Sequence, residues 1–264
     1  MARVHLFEFE DLKWFPSFLR NYMTDFLQFI SNKFDVYKPI VPIIEEGLKK
    51  SNSNTIVDLA SGGGGGILKL NEHLLKNNPN LKIVLTDYYP NIEAFKQTKA
   101  SAKNIEYIAT SIDALNVPKS LDGLCTQFLS LHHFKPKQAQ QIFQNAVNNE
   151  RAIAIFEAQE RNLKSAFFML LSPLNVLFMT PFIKPFKLGR IVFTYLIPIL
   201  PIFICWDGLV SVLRTYSIEE MNALISNLDN SDSFEWKLGK VKSGPSKITY
   251  LLGYKKNHNG HLVD

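Results

Sequence analysis

The sequence predicts an α/β domain that holds a ligand at the carboxyl ends of its strands. Three observations lead there. Thr55 to Asp58 is a short β-branched strand that empties into a loop of consecutive glycines, and a helix starts at Ile67. Four more strand-like apolar segments follow, and two of them end directly at an acid. Residues 234–241 and 247–254 then read as a hairpin around Gly244 and Pro245. A length of 264 residues suits one domain. Its expected parts are an N-terminal helical segment (1–50), a ligand-binding half (51–157), an apolar helical cap insertion (158–215), and a C-terminal helix with the hairpin (216–255).

Taken in order, residues 11–30 have helical spacing: Trp14, Phe18, Tyr22, Phe26 and Phe29 recur at threes and fours, with Arg20, Asn21, Thr24 and Asp25 on the other side. The stripe reads as core packing or as a lid. A second helix, 37–50, leads into the first strand. The glycine loop is not a P-loop, because Gly66 is followed by Ile67 and Leu68 rather than Lys-Ser/Thr. It also misses the dinucleotide fingerprint, whose sixth position counted from Gly62 is Ile67. It fits Asp-x-x-x-Gly-x-Gly, with Asp58, Gly62 and Gly64. Having no basic partner, it suits a ligand with no phosphate to neutralise.

The second strand, 82–86, ends at Asp87, placed to accept hydrogen bonds from two ribose hydroxyls. The third, 105–109, leads to Asp113, which by itself reads as a helix N-cap before Ala114 and Leu115. The fourth, 121–131, runs into His132 and His133. Either imidazole would accept a proton from a substrate or simply cap the strand. The fifth, 151–156, ends at Glu157, which reads as a base, a substrate anchor or a partner of Arg161 four residues on. Ser217 and Glu220 form a capping box for a helix over 218–228.

These motifs, in this order, resemble the class I S-adenosylmethionine-dependent methyltransferases. The resemblance implies a seven-stranded, mostly parallel, doubly wound (Rossmann-like) sheet with an antiparallel last strand, and S-adenosyl-L-methionine as cofactor. It places Asp58, Ala60, Ser61, Gly62 and Gly64 in the cofactor loop, Asp87 on the ribose and Tyr88 beside the ribose or adenine. It puts Asp113 and Ala114 at the adenine, and Phe128 and Leu129 under the cofactor. Ala60 stands where the family has its first glycine, which is tolerable if φ is negative. Leu131-His132-His133 resembles the fourth motif of small-molecule members, so acceptor deprotonation would fall to His133, His132 or Glu157. Residues 7–27 resemble the leader of a bacterial small-molecule-type branch, in which Trp14 and Arg20 would help close the site. No metal is expected.

Residues 161–215 depart from a minimal enzyme of this kind. No charge occurs over 165–183 or over 191–206, and Lys184, Lys187 and Arg190 separate the runs. Each run nears the length of a membrane span, about 20 residues, but five prolines break them. Three readings stand: a cap lining a pocket for a lipophilic acceptor, peripheral membrane contact through 165–206 with the basic linker near anionic head groups, or burial against a second subunit. Trp206, Asp207 and Arg214 read as acceptor-binding residues, with an Asp207–Arg214 ion pair as the structural alternative.

Charged residues make up 20% of the chain and hydrophobic ones 46%, which excludes disorder. The net charge of +5 has no compact basic stripe behind it, so no nucleic-acid partner is expected. Cys125 and Cys205 provide no disulfide framework, and the opening residues carry acids where a secretory leader is apolar, so a cytoplasmic setting is expected. The polar tail after Tyr254 reads as frayed. The expected function is methyl transfer to a small, lipophilic acceptor, and the alternative is a non-catalytic, membrane-associated scaffold of the same fold. A nicotinamide enzyme is disfavoured by the missing third fingerprint glycine. Oligomeric state is left open.

Overall fold

The computed structural model describes residues 1–256; the expected frayed tail falls largely outside them. Seven strands form one sheet: β1 (Thr55–Asp58), β2 (Lys82–Leu85), β3 (Ile105–Tyr107), β4 (Leu124–Phe128), β5 (Ile153–Glu157), β6 (Phe234–Ser243) and β7 (Ser246–Lys255). Their order is β3-β2-β1-β4-β5-β7-β6. The first five pair in parallel, and β7 runs antiparallel between β5 and β6. Strand order reverses at β1, between β2 and β4, so the crevice at the carboxyl end of β1 is the topological switch point.

Alternation along the strands builds a core on each face. Ile56, Leu124, Ala154 and Phe156 face α2 (Val41–Lys50) and α3 (Ile67–Leu74). Val57, Cys125, Ile153 and Ile155 face α5 (Pro136–Asn148) and α10 (Ile218–Ser226). The helix α4 (Ile92–Ser101) follows β2 and is started by the Asn91 side chain, which accepts from the Ala94 N–H. The expected Ser217/Glu220 capping box starts α10.

Several boundaries differ from the sequence reading. The first helix, α1, spans Ser17–Lys33 rather than 11–30. Pro16, its N-cap, holds φ at −59° and sets the start, so Trp14 lies in the preceding turn and is 70% exposed. The buried stripe is Leu19, Met23 and Phe26, while Phe18 turns outward. The fourth strand is shorter than 121–131 because Gly123 (φ +141°) and Leu129 (φ +49°) bend the chain at either end. The hairpin turn is the two residues Gly244 and Pro245, with Ser243 paired to Ser246.

The insertion folds as short helices: α6 (Leu163–Leu170), α7 (Ser172–Met179), α8 (Leu188–Ile191) leading into a π-helical turn Val192–Leu196, and α9 (Ile199–Arg214). Pro173, Pro181, Pro185, Pro198 and Pro201 all lie at the starts of these pieces or between them. Val176, Ile183, Leu200 and Ile204 pack on Phe15, Leu19, Met23 and Phe26 to form a third core. The insertion thus covers the outer side of α1. Arg190 is 1% exposed and donates to Asp25 of α1 at 2.7 Å, and Lys187 donates to the same carboxylate at 3.0 Å. The basic linker expected beside head groups is therefore largely consumed inside the protein; of its three cations only Lys184 is exposed.

Candidate functional site

The loop after β1 is shaped by backbone conformations that favour glycine. Gly62, Gly64 and Gly65 have φ of +54°, +90° and +43°. Gly66 has an ordinary φ, but a Cβ there would meet the Tyr37 ring at 2.5 Å. Ala60 has φ +53°, so the negative φ under which alanine was expected to be tolerated is not what the chain adopts. The loop is tied to the strand ends: the Ser61 N–H donates to the Thr86 carbonyl at 2.9 Å, and the Thr86 N–H donates to the Asp58 carbonyl at 2.9 Å.

Two strand-end carboxylates flank this cradle. Asp87 accepts from the Gly62 N–H at 2.7 Å and from the Tyr89 N–H at 2.7 Å, which fixes the carboxylate against the loop. Each of its oxygens retains a lone pair for a further donor. Asp58 is 3% exposed and accepts from the Thr126 hydroxyl at 2.9 Å. Burial pushes its pKa up to about 7, against the pull of the Ser61 and Thr126 hydrogen bonds.

Loop and carboxylates open on a cavity of about 330 Å³. Asp58, Ala60, Ser61, Gly62, Gly64, Asp87, Tyr88, Phe128 and Leu129 form one wall, with Tyr37 beneath. Arg20, Asn21, Thr24 and Leu27 of α1 form the opposite wall, and Glu10, Asp11, His133 and Phe134 close the end. No residue of 158–215 lines this cavity. The expectation of a cap lining the pocket fails because α1 lies between the insertion and the crevice.

The remaining expected site residues lie away from the cavity. Asp113 accepts from the Leu115 N–H at 2.9 Å in a turn, with no helix after it to cap, and Ala114 is buried in the core below. Trp14 is exposed, and the Trp206 indole donates to the Phe7 carbonyl at 3.0 Å. Asp207 and Arg214 do not pair with each other, because residues 6–11 lie between them and take both. Asp207 accepts from the Phe9 and Glu10 N–H groups at 2.8 and 3.2 Å. Arg214 donates to the Leu6 carbonyl at 2.7 Å and to Asp11 at 2.6 Å. Arg161 forms a two-pronged pair with Glu220, not with Glu157.

Glu157 instead holds His132, whose Nδ1 lies 2.8 Å from its Oε2; the two are 1% and 2% exposed. Neither reaches the cavity, so neither can take a proton from an acceptor there directly. His133 does line it. Its Nδ1 sits 2.9 Å from Asp11 and 3.2 Å from Glu8. Burial works against the imidazolium, but these acids outweigh it and raise the pKa to about 10. These acids favour the imidazolium, a donor, over the neutral base expected from the sequence. Asp11, bonded by His133 and Arg214, is held well below the usual carboxylate range despite its burial.

Glu10 was overlooked at the sequence level except as an acid at odds with a leader. Its Oε1 is buried without a hydrogen-bond partner, and it lines the cavity. Burial, reinforced by Asp207, pushes its pKa up to about 8. Glu8, His132 and His133 also bring three ligand-type atoms close together. Arg214 already sits 3.2 Å from Glu8 and neutralises that cluster, so it reads as an ion-pair network.

No family model and no curated protein matches this sequence. Solved structures do. A SAM-dependent methyltransferase from Aquifex aeolicus superposes with a TM-score of 0.50 at 13% identity, over 88% of this chain and 97% of that one. PigF with SAH gives 0.50 at 16% identity, over 93% of this chain and 63% of PigF. Human N-acetylserotonin methyltransferase in complex with SAM gives 0.48 at 14% identity, over 88% of this chain. The chain spans only 56% of the human enzyme's length. At such identities the likeness is one of fold.

Proposed function

The chain has the fold of the class I S-adenosylmethionine-dependent methyltransferases, and we propose that it transfers a methyl group from S-adenosyl-L-methionine to a small-molecule acceptor. The observation that carries this reading is the junction of the glycine cradle with Asp87, at the switch point of the sheet and on the wall of the crevice. In this reading Asp87 takes the ribose hydroxyls, and Asp58, Ser61, Gly62 and Gly64 hold the amino-acid end. Phe128, Leu129 and Tyr88 pack the adenosine. The sulfonium supplies the reactive methyl group. The protein's work is to hold donor and acceptor in line and to exclude water.

The acceptor end is where Glu10, Asp11, Arg20 and His133 converge. A cationic His133 held by Asp11 donates to the acceptor and orients it. Glu10, with its unpartnered oxygen, takes the acceptor's proton. His132 and Glu157 position His133 from behind, as the two imidazole rings lie 4.4 Å apart between centroids. Leu27, Tyr89 and Phe134, which also line the cavity, favour an acceptor that is apolar apart from one hydroxyl or amine.

Isothermal titration with S-adenosylmethionine tests the reading. Micromolar binding that Asp87→Ala abolishes supports the enzyme, whereas no binding supports a scaffold of the same fold. Methyl-labelled cofactor incubated with a total lipid extract tests the acceptor: label confined to water-soluble products contradicts an apolar one.

A further inference from the structure

The insertion exposes an apolar face that the cofactor crevice does not use. Phe167, Leu174, Phe178, Phe182, Phe186 and Leu196 are each more than half exposed. Across 165–206 the exposed residues are apolar except Asn175, Lys184 and Tyr195, and the Tyr195 hydroxyl already donates to the Leu177 carbonyl. Single exposed hydrophobes need no explanation, but a continuous stretch of this composition does.

We propose that this face docks on a lipid bilayer, with α6, α7 and the α8–α9 bend immersed at the level of the head groups and upper acyl chains. Composition argues for lipid over a second copy of the chain. Even the buried centre of a protein interface is only about 65% apolar and carries hydrogen-bonding groups. This face offers almost none. Charge agrees: no Asp or Glu occurs between Arg161 and Trp206, so no carboxylate meets the lipid phosphates, while Lys164 and Lys184 are exposed. Shape agrees as well. No single helix among the described residues is long and apolar enough to cross a membrane. The two pairs that come near are bent by 41° and 82°. Short apolar pieces broken at these bends, with one side packed on α1, suit insertion into a single leaflet better than a straight span.

The buried ion pairs fix what drives the docking. Lys187 and Arg190 are engaged with Asp25, so head-group attraction is minor and apolar insertion dominates. This inference is independent of methyl transfer and is tested without cofactor. The full chain is floated with phosphatidylcholine vesicles, and with vesicles containing added phosphatidylglycerol, at low and high salt. Sedimentation equilibrium is run in parallel. The expected result is flotation with both vesicle types that survives high salt. Phe178→Ser and Phe186→Ser each weaken it about tenfold. Both residues are 70% exposed, so the fold is retained, as checked by circular dichroism. Flotation only with phosphatidylglycerol at low salt overturns apolar insertion. Absence of flotation overturns the proposal outright, and a dimer that the same substitutions dissociate identifies a second copy as the occupant.

Discussion

Glu10 carries the most specific chemical prediction. Its carboxyl is held up to about 8 by burial and by Asp207, and a base works only when ionised. The turnover rate should therefore rise with pH through about 8. Glu10→Gln should lower kcat by about 10²–10³ while cofactor affinity stays unchanged, which separates proton transfer from binding. Asp58 makes a second prediction. Its pKa is raised to about 7 in the empty site, and a bound sulfonium and ammonium favour the carboxylate. Cofactor binding then releases a proton whenever Asp58 starts protonated. Affinity should climb as pH rises to about 7 and level off above it. Asp58→Asn should flatten that climb, as calorimetry at several pH values would show.

At the level of elements, the glycine loop separates conformational from steric demand. Gly65 has a positive φ and open space around its missing Cβ, so Gly65→Ala should cost about 1 kcal/mol. Gly66 has an ordinary φ but faces the Tyr37 ring, so Gly66→Ala should cost about 1–3 kcal/mol through overpacking. Thermal melts of the two variants check the order. The loop, the strands around it and the capping box were legible because each is local: a β-branched run, a glycine string, a Ser-x-x-Glu. The acceptor end was not, because it is assembled at long range. Glu10 and Asp11 join His133 in the cavity because Asp207 and Arg214 clamp residues 6–11 against α9, and nothing in either segment announces the other. The helical stripe at Trp14 misled for a local reason: periodicity continued across Pro16, but the helix did not.

On the scale of the molecule, three cores are stacked: the two faces of the sheet and the α1–insertion layer. The third is fastened by Asp25 with Arg190 and Lys187. Removing one partner of a buried pair strands the other, so Asp25→Ala should destabilise the protein by about 3–5 kcal/mol in denaturant titrations. Replacing Asp25 and Arg190 together with leucine and methionine should recover much of that loss. Because α1 is both a wall of the crevice and the base of the insertion, Asp25→Ala should also weaken cofactor binding, although Asp25 does not line the cavity.

Methyl transfer by this chain requires the loop from Ala60 to Gly66, clasped by Asp87, to bind S-adenosylmethionine. Titration calorimetry on the wild-type chain and Asp87→Ala is the direct measurement. The wild type should give a one-to-one, micromolar isotherm and the variant none, with both proteins folded. A folded wild-type chain that gives no heat at any temperature tried, or a variant that binds as tightly as the wild type, would contradict it.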